Sequence, residues 1–182
     1  MKMMRTKCLI ILVIVLICIM VSPISRGYQV KFEKVVPTTT SLITMLQPGY
    51  DPEIADVHAK YIDKNTGLWG IDRDDFVSVI NKESSFNSMA ESTKGAKGAS
   101  QILIRVHKEL VKKRRLMPHE IWYLDNNYSM GCEVFYMAKK KSHNLDEILT
   151  RYVGGKCPGY IPDIKKSIAK CRAMTDSRII LM

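Results

Sequence analysis

One helical stripe carries a carboxylic acid among apolar side chains, and this combination constrains the chain more than any other feature. Phe76, Val79, Ile80 and Glu83 recur at positions i, i+3, i+4 and i+7, the spacing of one face of an α-helix. Burial on that face disfavours the charged form of Glu83 and raises its pKa, which a general acid requires near neutral pH. The alternative, which periodicity alone favours, is that Glu83 ends the helix at the solvent edge and pairs with Lys82.

The remaining helical patterns predict a mainly α domain over residues 48–176. Asp51 is the expected cap of a helix that ends near Gly67, and Asp72 is the expected cap of the helix that carries the acid. No strand is predicted, apart from an unlikely one over residues 178–182 in the tail, which spans residues 177–182. We expect further helices over residues 101–115, 118–124, 126–140, 145–152 and 164–174.

The N-terminus is basic and then apolar. Lys2, Arg5 and Lys7 precede an apolar run, which is typical of a secretory signal peptide. The uncharged stretch spans residues 8–25 and approaches the length of a membrane span, so an uncleaved signal-anchor helix is the alternative. We therefore expect residues 1–26 to direct export to the periplasm or cell envelope, with release there or anchoring in the inner membrane. Residues 27–47 are the expected linker.

The chain is basic, with a formal net charge of +10. Much of the excess lies in residues 112–115 and 139–141. Such runs are usually a solvated face, and otherwise a basic surface suits a polyanion such as nucleic acid, anionic lipid or a cell-wall polymer. The runs lack interleaved aromatic residues and any nucleic-acid motif, so we expect no nucleic-acid partner.

Three cysteines follow the N-terminal segment, and an oxidising compartment permits one bridge among them. Cys157 and Cys171 are the expected pair because Cys132 lies inside a helical pattern. The spacing of cysteines and histidines predicts no metal site.

Four segments, in order, resemble the signature of the soluble lytic transglycosylases. Residues 83–87 resemble the family's Glu-Ser-x-Phe-Asn, and residues 90–102 resemble its Ala-x-Ser-x-x-Gly-Ala-x-Gly-Leu-Met-Gln-Ile without a gap. Residues 127–131 are similar to the family's Asn-Ile-x-x-Gly, and residues 149–155 to its Ala-Leu-x-x-Tyr-Asn-x-Gly. The resemblance covers roughly residues 50–165.

The resemblance implies a lysozyme-like α-helical fold. It implies an enzyme that cleaves the β-1,4 bond between N-acetylmuramic acid (MurNAc) and N-acetylglucosamine (GlcNAc) in peptidoglycan glycan strands. Glu83 would be the single acid and base: it protonates the glycosidic oxygen and then accepts the proton of the muramic 6-hydroxyl, which leaves a 1,6-anhydro-MurNAc end. No cofactor is implied, and the enzyme could serve wall remodelling, a secretion or conjugation apparatus, or a phage that needs local passage through the wall.

The resemblance also assigns a substrate-binding set of Ser84, Ser92, Gln101 and Tyr152. Tyr152 matches a tyrosine whose hydroxyl lies near the catalytic acid, and Gln101 matches a glutamine that lines the sugar cleft. Ser92 is expected to fix the loop or contact sugar. The alternative for Tyr152 is a core tyrosine whose hydroxyl is hydrogen-bonded to the backbone. The alternative for Gln101 is a polar residue at the start of a helix.

This sequence departs from the family pattern at four positions. Ala99 and Ser100 replace the Leu-Met pair, Val153 replaces an asparagine, and Lys97 stands where an apolar residue is common. These changes keep two alternatives open: a hydrolytic muramidase similar to goose-type lysozyme, and a catalytically degenerate cell-wall-binding module. A membrane-surface protein is a third alternative that rests on charge alone.

Overall fold

A computed structural model describes residues 30–31, 36–155, 157–175 and 180–181. These residues fall in two compact units. In the smaller unit, strand β1 (Val30–Lys31) pairs antiparallel with strand β4 (Ile180–Leu181). A strand therefore forms in the tail, where the sequence gives only a weak signal. The predicted signal or anchor segment, residues 1–26, lies outside the described residues.

The larger unit, residues 34–177, is mainly helical, as the sequence predicts. In the described residues the α-helices are α1 (Thr39–Leu46), α2 (Pro52–Trp69), α3 (Arg73–Ser84), α4 (Lys108–Lys113), α5 (Leu124–Lys140), α6 (Leu145–Tyr152) and α7 (Tyr160–Thr175), with a 3-10 helix (Glu120–Trp122) before α5. Helix α2 packs against α1, α3 and α5, while α3 packs against α7. None of the helices in the described part of the chain is both long and apolar enough to cross a lipid bilayer.

Helix α1 lies where the sequence predicts a linker. The Thr38 hydroxyl accepts a hydrogen bond from the Ser41 N–H at the start of α1. Leu42 and Ile43 are fully buried against the neighbouring helices. The linker assignment of residues 27–47 therefore does not hold for residues 39–46, because this apolar pair belongs to the core.

Helices α2 and α3 begin where the sequence predicts. The Asp51 carboxylate accepts from the Glu53 N–H at 2.8 Å, and Asp72 accepts from the Asp75 N–H at 3.0 Å. Helix α2 continues past Gly67 to Trp69, and Gly70 ends it in the left-handed conformation at φ 60°. This is the usual glycine termination of a helix.

The segment 101–115 is only partly helical. Strand β2 (Ala96–Lys97) pairs antiparallel with strand β3 (Ile102–Leu103), and helix forms only at α4. Gln101 has φ 48°, which no helix interior permits. The prediction of one long helix over residues 101–115 was therefore wrong, and so was the prediction of no strand outside the tail. Pairing of β3 with β2 overrides the local helix propensity.

The last helix begins four residues earlier than predicted, at Tyr160. Pro162 lies in its first turn, where backbone N–H groups have no acceptor within the helix, so the missing N–H of proline costs no helical hydrogen bond. Tyr160, Ile164, Ile168 and Cys171 form its buried stripe.

The predicted bridge between Cys157 and Cys171 is absent, since both thiols are free. Cys157 is exposed in the loop before α7. Cys171 is buried, with its Sγ 3.8 Å from the Ser78 Oγ on α3. The helical packing of α7 on α3 thus directs the Cys171 thiol into the core.

Candidate active site

Glu83 lies in the last turn of α3 and is partly buried. Burial raises the pKa of its carboxyl group above the usual value, while a hydrogen bond from Tyr160 and the charge of Lys82 lower it to a smaller extent. The ammonium of Lys82 makes its ion pair with Asp163 instead, at 2.6 Å. The structure thus favours the buried-acid interpretation over a solvent-edge ion pair with Lys82.

Two consecutive left-handed residues follow the acid. Ser85 has φ 52° and Phe86 has φ 64°, so the chain turns sharply out of α3. Non-glycine residues adopt this conformation at an energetic cost and need surrounding contacts to hold it. The Tyr50 hydroxyl supplies one by donating to the Phe86 carbonyl at 2.9 Å, and the Phe86 ring is fully buried.

Tyr160 contacts the acid, and sequence reasoning missed this residue. Its hydroxyl donates a hydrogen bond to the Glu83 Oε1 from the first position of α7. Burial and the charge of Glu83 raise the pKa of Tyr160, so the phenol stays protonated and remains a donor. The signal that was available is its place on the buried stripe with Ile164 and Ile168, four and eight residues later.

The hydroxyl of Tyr152 is near the acid but bonded elsewhere. It donates to the Ser100 carbonyl at 3.0 Å, as the backbone-bonded alternative predicts. Burial raises the pKa of Tyr152, and the charge of Glu83 raises it further. The side chain therefore borders the acid while holding the loop that carries Ser100.

The remaining predicted residues also make loop contacts. The Ser84 Oγ donates to the Ala99 carbonyl at 2.8 Å, and the Ser92 Oγ accepts from the Ala96 N–H at 3.0 Å. The Gln101 amide nitrogen donates to the carbonyls of Ala90 and Gly98, at 3.1 and 2.9 Å. These bonds fix the shape of the loop that faces Glu83.

Asn127 and Gly131, from the third motif, hold the same loop from α5. The Asn127 Oδ1 accepts from the Ser100 N–H at 2.7 Å, and its Nδ2 donates to the Lys97 carbonyl at 3.0 Å. A Cβ on Gly131 would lie 2.6 Å from the Ser100 Oγ, and one on Gly98 would lie 2.2 Å from the Asn127 Nδ2. Both glycines are therefore needed for the close approach of the loop to α5.

Of the departures from the family pattern, Lys97 has a local explanation in the hairpin, whereas Ser100 and Val153 have none in the structure. Lys97 places its ammonium 4.8 Å from the centre of the Trp122 ring and 2.7 Å from the Glu91 carboxylate, so it serves the hairpin and not the cleft. Ser100 is buried, and its Oγ has no hydrogen-bond partner in the described part of the chain. Val153 lines the cleft as an apolar residue.

Glu83 opens into a cleft of about 300 Å³. Both polar and apolar residues between Ser92 and His107 line the cleft, while α5 contributes Val134 and α6 contributes Arg151 and Tyr152. Of the predicted site residues, Glu83, Ser92, Gln101 and Tyr152 line the cleft, and Ser84 does not. The other lining residues are Lys94, Ala96, Ser100, Ile102, Leu103, Val106, His107, Val134, Arg151, Val153 and Gly154.

Comparison with known proteins identifies a family for this chain. The family model described as the transglycosylase SLT domain matches residues 60–159, which include Glu83 and all the described residues that line the cleft. A search of curated proteins found no significant match. Since the matched region is more than half of the chain, the protein belongs to the transglycosylase SLT family, whose members are lytic transglycosylases that act on peptidoglycan.

Proposed function

We propose that this protein is a lytic transglycosylase with a lysozyme-like helical fold, in which Glu83 is the only acid and base. The observation that carries the proposal is the state of Glu83: its pKa is raised by burial, and the Tyr160 hydroxyl donates to its Oε1. A raised pKa keeps the carboxyl group protonated at higher pH for the first step. The Tyr160 donor then stabilises the carboxylate that the first step creates.

The first step transfers the Glu83 proton to the glycosidic oxygen. The bond between C1 of MurNAc and O4 of GlcNAc breaks, and GlcNAc leaves with the proton. In the second step the Glu83 carboxylate accepts the proton of the MurNAc 6-hydroxyl, and that oxygen bonds to C1. The product is a 1,6-anhydro-MurNAc end, Glu83 is protonated again, and no water is consumed.

The composition of the cleft supports a single-carboxylate reaction. Glycosidases that use water or a covalent intermediate generally place two carboxylates on the scissile bond. Among the described residues that line the cleft, Glu83 is the only carboxylic acid. The nearest acid in the loop sequence, Glu91, is half exposed and paired with Lys97. An attacking hydroxyl within the substrate has the advantage of proximity over water.

The test is product analysis by mass spectrometry after digestion of purified sacculi. Wild type is expected to release muropeptides with 1,6-anhydro ends, and Glu83→Gln is expected to lose activity by about 10²–10⁴-fold. Glu91→Gln is the matched control, since it removes a carboxylate from the neighbouring loop and is expected to retain activity.

Three results would contradict the proposal. Reducing MurNAc ends would identify a hydrolytic muramidase. Full activity in Glu83→Gln would show that another group is the catalyst. Binding to sacculi without cleavage by wild type would indicate a degenerate wall-binding module.

To act on the proposed substrate, the protein must reach the outside of the cytoplasm. We propose that residues 1–26 export the protein to the cell envelope, either as a cleaved signal peptide or as an anchor through residues 8–25. The basic start and the apolar run support this proposal. Mass spectrometry of the protein from fractionated cells distinguishes the two forms, and an intact chain in the cytoplasmic fraction would contradict both.

A further inference from the structure

Three polar side chains form a row that runs from α5 to the turn after Glu83. The Tyr128 hydroxyl on α5 contacts the Nδ1 of His58 on α2, and the His58 Nε2 lies 3.2 Å from the Tyr50 hydroxyl. The Tyr50 hydroxyl in turn bonds to the Phe86 carbonyl at 2.9 Å. We call Tyr128, His58 and Tyr50 the polar row. His58, Tyr128 and Phe86 are buried, so the row is shielded from solvent.

The protons available in the polar row determine the direction of each bond. The Tyr50 hydroxyl has one proton and donates it to Phe86, so its oxygen can only accept from the His58 Nε2. A neutral imidazole has one N–H, which leaves the Nδ1 to accept the Tyr128 proton. Burial lowers the pKa of His58 to about 4 and raises that of Tyr128, so both groups are neutral near pH 7.

The opposite tautomer of His58 would break the polar row. A proton on Nδ1 would leave the Tyr128 proton without its acceptor. The bare Nε2 would then compete for the Tyr50 proton, and the buried Phe86 carbonyl would lose its donor. Buried polar groups without partners are destabilising, so the row favours the tautomer with the proton on Nε2.

The Phe86 carbonyl belongs to the turn that ends the helix of the acid. Ser85 and Phe86 are both left-handed, and the Asn87 N–H closes the turn on the Ser84 carbonyl at 3.0 Å. Such residues keep this conformation only where the surrounding contacts hold them. Glu83 directly precedes this turn, so a loosened turn would change the direction in which its carboxyl group points.

The start of α5 is connected both to this turn and to the loop that faces the acid. Asn127 bonds to the backbone of Ser100 and Lys97 in that loop, and the next residue, Tyr128, begins the polar row. Neighbouring residues of one helix therefore fix the two segments between which the substrate must fit.

We propose that His58 is a positioning residue of the active site, whose Nε2–H directs the Tyr50 proton to the Phe86 carbonyl and so holds the turn that places Glu83. This inference rests on the proposed function, because it takes Glu83 as the acid. None of the polar row lines the cleft within the described residues. Changes in the row therefore remove no contact with the substrate.

The test compares two amide side chains at position 58 in the full-length protein. Glutamine is long enough to place its amide nitrogen near the site of the Nε2, whereas asparagine reaches only the site of the Nδ1. For His58→Asn, kcat for cleavage of sacculi is expected to fall about tenfold with KM within about twofold, because the donor to Tyr50 is lost. His58→Gln is expected to keep kcat within about threefold of wild type.

Tyr50→Phe removes the donor to Phe86 with little change in ring size, and a similar fall in kcat is expected. Adding His58→Asn to it is expected to cause little further loss, since both changes break the same row. Tyr61→Phe is the matched control, because it removes a hydroxyl from α2 outside the polar row and outside the cleft. It is expected to retain the wild-type kcat.

Two measurements on the protein alone complete the test. The Asn87 amide is expected to exchange with solvent about tenfold faster in His58→Asn and Tyr50→Phe, and at the wild-type rate in Tyr61→Phe. The ¹⁵N signals of the His58 ring in wild type are expected to show a protonated Nε2 and an unprotonated Nδ1. Rates count anhydro and reducing ends together, so they do not depend on which product forms.

The proposal is overturned if the Nδ1 carries the proton in wild type, or if His58→Asn keeps both kcat and the protection of the Asn87 amide. Equal losses of kcat in His58→Gln and His58→Asn would also overturn it. Lower stability in urea with wild-type kcat would mean that the polar row only stabilises the fold. Reducing ends or no cleavage by wild type would refute the proposed function instead, and the exchange at Asn87 would still decide whether the polar row holds the turn.

Discussion

Removing the Tyr160 hydroxyl tests whether its hydrogen bond lowers the pKa of the Glu83 carboxyl group. In Tyr160→Phe the Glu83 Oε1 loses the donor at the start of α7, while the ring stays on the buried stripe of that helix. The Tyr160 bond opposes the effect of burial on the pKa of Glu83. Without it, the pKa of Glu83 is expected to rise further.

Loss of the Tyr160 donor is expected to lower kcat and, separately, to extend activity to higher pH. A hydrogen bond to a charged group contributes about 1–1.5 kcal/mol more than one to a neutral group. The carboxylate that forms in the first step loses this stabilisation, so kcat is expected to fall about five- to twelvefold where Glu83 is protonated. The activity of a general acid is lost as pH rises through its pKa, so the descending limb of the pH profile is expected to move to higher pH.

The assay is release of anhydromuropeptides from sacculi, measured as initial rates across pH for wild type, Tyr160→Phe and a control, Tyr136→Phe. The Tyr136 ring packs near Trp69 and Lys140, away from the cleft. A descending limb that stays in place or moves to lower pH in Tyr160→Phe would refute the argument. A matching shift in Tyr136→Phe would show a global effect on the fold.

Two further predictions concern stability and are measured by urea unfolding. His58 is 2% exposed, between the hydroxyls of Tyr50 and Tyr128, and burial lowers its pKa from 6.5 to about 4. Between these values the unfolded chain binds a proton at His58 that the folded one does not, so the His58 contribution to stability is expected to fall by about 3 kcal/mol on acidification across this window. It is measured as the difference between wild type and His58→Gln, because burial raises the pKa of Asp75 to about 6 and this carboxyl group has the opposite effect in the same window. His58→Gln is expected to lose that dependence, and an unchanged pH slope in the variant would contradict the assignment. Gly131→Ala is expected to destabilise the fold by about 1–3 kcal/mol, because the new Cβ would lie 2.6 Å from the Ser100 Oγ. Adding Ser100→Gly should restore part of the loss, and simple additivity of the two changes would argue against the contact.

The acid and its helix were predictable because their signals are local. Asp72 caps α3 as expected, and the apolar positions Phe76, Val79 and Ile80 are all fully buried. A cap and a helical stripe depend on residues within a few positions of each other, so they can be derived from the sequence.

The motif predicted which residues form the loop that faces the acid, but the sequence did not predict the conformation of that loop. Its residues matched a family pattern in order, yet the hairpin of β2 and β3 replaced a predicted helix. The bond from the Ser100 N–H to Asn127 and the packing of Gly131 against Ser100 join residues that are distant in the sequence. Local propensity contains no information about such pairings.

The sequence by itself determined a mainly helical domain, an acid on an apolar helix face and the order of the motifs that carry the cleft. Only the tertiary structure decided the environment of that acid. Tyr160 reaches Glu83 because α7 packs on α3, and Lys82 binds Asp163 across the same contact. The pKa of a carboxyl group depends on burial and on partners distant in sequence, and only the folded chain brings these together.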